Sequence, residues 1–65
     1  MVNFNFIEKQ ITSNGWYLVR VNGSHCQFKH PINPNTITVP NHKSKDLSIG
    51  VIRSLEKSTG LSFRR

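Results

Sequence analysis

A chain of 65 residues has room for one domain with a thin core, because folding at this size buries only about 60% of the surface that the unfolded chain exposes. Its apolar residues, 35% of the total, never gather into a long uncharged run, so neither a membrane-spanning helix nor a secretory leader is expected, and the chain reads as soluble and cytoplasmic. The single cysteine, Cys26, rules out an internal disulfide and a thiolate-rich zinc site, while nine Lys and Arg against Glu8, Asp46 and Glu56 leave a net +6 that draws in polyanions.

We expect a single domain over residues 1–65, with its basic residues spread along a folded surface rather than massed in a solvated tail. Asn3 or Asn5 can cap a first helix of about residues 5–14, whose Phe4, Ile7 and Ile11 recur at helical spacing and which Asn14-Gly15 stops. From Trp16 the texture changes to aromatic and β-branched residues, and Asn22-Gly23 offers the pair that a tight hairpin demands. With Asn22 and Gly23 as the loop, Arg20 would face His25, Val19 would face Cys26 and Tyr17 would face Phe28. Tyr17, Val19, Cys26 and Phe28 would then make an apolar face, and Arg20, His25, Gln27 and Lys29 a cationic one.

Pro31 and the run Pro-Ile-Asn-Pro-Asn end the second strand, and Thr36–Val39 alternates again before Pro40. Val51, Ile52 and Leu55 mark a second helix, with Ser48 as its cap, Gly60 beyond its end, and Leu61 and Phe63 docking back on the core. The fold class is α+β, in the order helix, three strands, helix, with both helices on one face of a three-stranded antiparallel sheet.

RNA cleavage asks little of a protein, since the 2′-hydroxyl is a nucleophile already held near the phosphorus. An imidazole can move the proton near neutral pH, and Lys or Arg can stabilise charge growing on the phosphoryl oxygens. His25 with Arg20 and Lys29 has that composition, and Gly23-Ser24 adds a tight turn that can approach a phosphate closely. Lys43 and Lys45 are candidates to grip phosphate before the second helix, and Arg64-Arg65 could add a further contact. No metal site is expected, because His25 and Cys26 point to opposite faces of a strand and cannot converge on one ion. His42 is read as bracing a loop, His30 as a surface residue before a proline, and Trp16 as a packing residue.

Gly15-Trp16, Arg20, Gly23-Ser24-His25, His30-Pro31, Val39-Pro40, His42, Leu47, Gly50 and Gly60-Leu61 together resemble the HicA toxins of bacterial toxin-antitoxin pairs, from about Ile7 to Ser62. The resemblance implies a fold like the double-stranded RNA-binding domain, cleavage of mRNA independent of the ribosome, and growth arrest relieved by a HicB-like antitoxin; no cofactor is expected. It carries the catalytic role onto His25 and the Gly-Ser pair onto Gly23 and Ser24. Two other readings use the same residues: a module that binds RNA through shape and phosphates without cleaving it, and a subunit whose exposed sheet face serves protein pairing.

Overall fold

Residues 2–42 and 45–63 are described in this computed structural model, so Lys43, Arg64 and Arg65 lie outside the described residues. Of the two candidate caps, Asn3 is the one used: its Oδ1 accepts the Phe6 N–H at 3.0 Å, and helix α1 spans Phe4–Thr12. The helix ends two residues before the expected end at Asn14, and Thr12, Ser13 and Asn14 bend their side chains back onto carbonyls of its last turns. Thr12 Oγ1 donates to Glu8 O at 2.7 Å, Ser13 Oγ to Lys9 O at 2.8 Å and Asn14 Nδ2 to Gln10 O at 2.8 Å. Strands β1 (Tyr17–Asn22), β2 (His25–Lys29) and β3 (Ile37–Pro40) follow, then helix α2 (Ile49–Thr59). No helix among the described residues is long and apolar enough to cross a membrane.

The strands form one antiparallel sheet in the order β1-β2-β3. Its inner face presents Cys26 and Phe28 from β2 and Ile37 and Val39 from β3, all buried against Phe4, Ile7 and Ile11 of α1 and Ile52 and Leu55 of α2. Trp16, Leu47 and Phe63 close the same core. Ser48 Oγ accepts the Val51 N–H to start α2, and Gly60 donates its N–H to Glu56 O at 2.9 Å to end it. The Glu56 carboxylate then accepts the Phe63 N–H at 2.9 Å, which turns the chain so that Phe63 reaches the core. At the other end, Val2 O accepts the Leu47 N–H at 2.8 Å and Asn3 bridges Asp46, fixing the segment before α2.

The hairpin register differs from the expected one. Asn22 pairs with His25, so the two loop residues are Gly23 and Ser24. Gly23, at φ +63°, occupies the first loop position, where a tight hairpin needs a backbone that only glycine adopts without strain. Val21 pairs with Cys26 and Arg20 with Gln27; a bulge at Val19 then shifts the ladder so that Leu18 pairs with Phe28 and Tyr17 with Lys29. Tyr17 therefore lies on the outer face and Leu18 on the inner one, the reverse of a regular hairpin closed by Asn22-Gly23. Arg20 still shares a face with His25, but Asn22 rather than Arg20 stands directly opposite it.

Candidate nucleic-acid interface

The outer face of the sheet is built by register. Across the three strands it carries the rows Asn22–His25–Pro40 and Arg20–Gln27–Thr38, with Tyr17–Lys29 beyond the bulge. Both helices cover the opposite face, so this one is open to solvent: His25, Arg20, Lys29 and Tyr17 are all exposed. Its ionisable side chains are His25, Arg20, Lys29 and Tyr17. The three carboxylates of the chain lie elsewhere, Glu8 on α1, Asp46 in the bridge to Asn3 and Glu56 on α2. An approaching polyanion thus meets cations and neutral groups alone on this surface.

His25 opens β2, directly after the turn, and its ring has no hydrogen-bond partner among the described residues. Arg20 is its diagonal neighbour, on the order of 7–8 Å away at the backbone, a gap that a guanidinium on its flexible stem can span. Lys29 is four residues further along β2, about 13 Å from His25 at the backbone at roughly 3.3 Å per residue, farther off than Arg20. The turn beside His25 is anchored, because Ser24 O accepts the Asn41 N–H at 2.6 Å. A Cβ placed on Gly23 would touch nothing within 4 Å, so the outward side of the turn is open for a ligand to approach.

Lys45 is exposed in the loop between β3 and α2, off the rows of the outer face. His42 is exposed in the same loop; its ring has no hydrogen-bond partner among the described residues, and only its carbonyl acts there, accepting the Lys45 N–H at 3.2 Å. The bracing role expected of His42 belongs instead to His30. His30 Nδ1 accepts the N–H groups of Ile32 at 3.0 Å and Asn33 at 3.1 Å, which leaves the ring proton on Nε2 to donate to Asn14 O at 2.9 Å. Its ring also leans on Trp16, with centroids 5.1 Å apart, and Trp16 is buried, as a packing residue should be.

Cys26 points the other way from its neighbour His25, into the core, where burial pushes its thiol above the ordinary range and the Glu8 carboxylate adds to that shift. A depression of about 560 Å³ is lined by Trp16, His30, Ile32 and Leu61 among others, and by none of His25, Arg20 or Lys29. Concavity and cationic chemistry are therefore in different places. Tyr17 was missed in the sequence reading. Half-exposed opposite Lys29, it puts an aromatic ring on the outer face, but only the bulge at Val19 turns it outward, and no residue in the sequence marks that bulge.

Comparison with protein families brings a match over residues 6–61 to the model described as HicA toxin of bacterial toxin-antitoxin. No curated protein matches the chain. The family match spans α1 from its third residue onward, the whole sheet, the turn before His25 and α2, and on that coverage the chain belongs to the HicA toxin family.

Proposed function

We propose that this HicA toxin is a metal-independent endoribonuclease that cleaves mRNA in the cytoplasm and arrests growth, with His25 as its proton-transfer group and a HicB-like antitoxin as its inhibitor. The observation that carries the reading is the placement of one exposed imidazole, beside an open turn and diagonal to Arg20, on a sheet face that holds cations and no carboxylate.

In the proposed step His25 takes the proton of the 2′-hydroxyl as its oxygen bonds to phosphorus. The bond from phosphorus to the 5′ oxygen breaks, and that oxygen leaves with a proton from water. Arg20 faces the charge that grows on the phosphoryl oxygens, while the exposed Gly23-Ser24 turn brings backbone and hydroxyl close to the same phosphate. Lys29, on the same face, stabilises that charge together with Arg20; Lys45 extends the grip beyond the sheet, and Lys43, outside the described residues, is assigned the same phosphate-gripping role. The donor set around His25 suits anions and offers no carboxylate to a divalent cation, which supports the metal-independent reading.

One observation favours a second reading. His30 is committed to the fold, which leaves a single imidazole on the outer face, and a module that binds RNA without cleaving it needs no more than that. Incubating the protein with an end-labelled transcript in EDTA separates the two. Fragments ending in a 2′,3′-cyclic phosphate and starting with a 5′-hydroxyl are expected; salt-sensitive retention of intact RNA would establish the binding module instead.

A further inference from the structure

β1 is an anomaly in this fold. All six of its residues are exposed, including Tyr17, Leu18, Val19 and Val21 at 49%, 48%, 45% and 57%. A strand in a sheet covered on one side normally buries alternate side chains, yet Leu18 and Val21, which point to the inner face, are no better covered than their neighbours. The helices leave them bare because α2 packs on β3, at the opposite edge. β1 is also a sheet edge, and on the side away from β2 no strand among the described residues pairs with it.

Free edges are normally blunted by shortness, Pro or Lys. β3 is four residues long and ends in Pro40, whereas β1 is six residues long, has neither Pro nor Lys and is largely apolar. Self-pairing through β1 is opposed by the +6 carried by each copy and by the bulge at Val19, which two identical edges would bring together out of register. The same charge favours an acidic partner.

We propose that β1 is the docking strand for the antitoxin: an acidic partner lays an extended segment along Tyr17–Asn22, its apolar side chains cover Leu18 and Val21, and a carboxylate meets Arg20. This deepens the antitoxin part of the reading above and is independent of whether His25 cleaves RNA. It also supplies a mode of inhibition, since a segment paired with Arg20 lies one strand from His25 and withdraws the guanidinium from any phosphate there.

The test uses the full chain co-expressed with a HicB-like antitoxin. Backbone amides of Tyr17–Asn22 should exchange with solvent more slowly in the complex than in the free toxin. Leu18→Lys and Val21→Lys, at exposed positions and without loss of positive charge, should each weaken antitoxin binding at least tenfold, about 1.4 kcal/mol, and leave toxicity that the antitoxin no longer suppresses. Ile32→Lys, at a residue 87% exposed and away from the strand, serves as the control with unchanged affinity. Unaltered exchange of the β1 amides in the complex would overturn the proposal whatever the variants do, and so would a free toxin that dimerises through β1. A toxin that cleaves no RNA but shows the β1 protection would remove the nuclease reading and leave this one standing.

Discussion

His25 and His30 sit at the start of one strand and just past its end, and the fold uses them in opposite ways. Around His30 the chain closes: both ring nitrogens are engaged, Trp16 lies against the ring, and Gly15 leaves room for it, since a Cβ there would come within 2.8 Å of His30 Nε2. Around His25 the chain opens: the side chain stands on an uncovered sheet face with its ring nitrogens uncommitted among the described residues. Residue type does not show that His30 is committed to the fold, but its hydrogen-bond saturation does. A ring whose two nitrogens already hold three backbone groups in place has no vacancy for a substrate proton.

This contrast can be broken or sharpened by substitution. After loss of His25 itself, Arg20→Gln should have the largest effect, lowering single-turnover cleavage by about 100-fold, as expected for loss of one charge-stabilising donor, with the melting temperature unchanged. His30→Ala should do the reverse, costing about 2–3 kcal/mol of folding free energy in denaturant titration, at about 1 kcal/mol for each of three hydrogen bonds, while the cleavage rate per folded molecule holds. Gly15→Ala should cost about 1–2 kcal/mol for its positive φ, +97°, and should also displace His30, visible as a shift of that ring in NMR spectra. A smaller effect is expected for Lys29→Gln, which should reduce the dependence of log K for RNA on log salt by somewhat under one unit.

Cys26, adjacent to His25 but facing the core, gives the mildest test. With its thiol pushed upward in the folded state, alkylation at neutral pH should be slow in native protein and fast in denaturant. The sign of the pH effect follows: the stability gained by keeping the thiol protonated is complete below the unfolded thiol's value and is lost as pH climbs through the higher folded one. Rapid native alkylation would show that β2 exposes its inner face.

Much of the architecture was legible because strong local signals agree with one another. Helical spacing in Phe4, Ile7 and Ile11, the caps at Asn3 and Ser48, and alternation in Cys26 and Phe28 all describe a single apolar face, and the element order follows from them. The family resemblance was readable too, from Gly15-Trp16 through Gly60-Leu61. What could not be read was the closing of the hairpin. Asn22-Gly23 and Gly23-Ser24 are both good two-residue turns, and the alternation within β2 is satisfied by either, so nothing local decides between them. The bulge at Val19 was equally invisible, and with it the outward turn of Tyr17 and the inward, uncovered position of Leu18. His30 was read as a surface residue because its partners, Asn14 and Trp16, come from a distant part of the chain.

The claim on which all of this turns is that His25 moves the proton. Single-turnover cleavage of a labelled transcript in EDTA by His25→Ala, alongside unchanged circular dichroism and melting, measures it directly. A loss of about 10²- to 10⁴-fold in rate with the fold intact is the result this account requires; a folded His25→Ala protein that cuts RNA as fast as the wild type would contradict it.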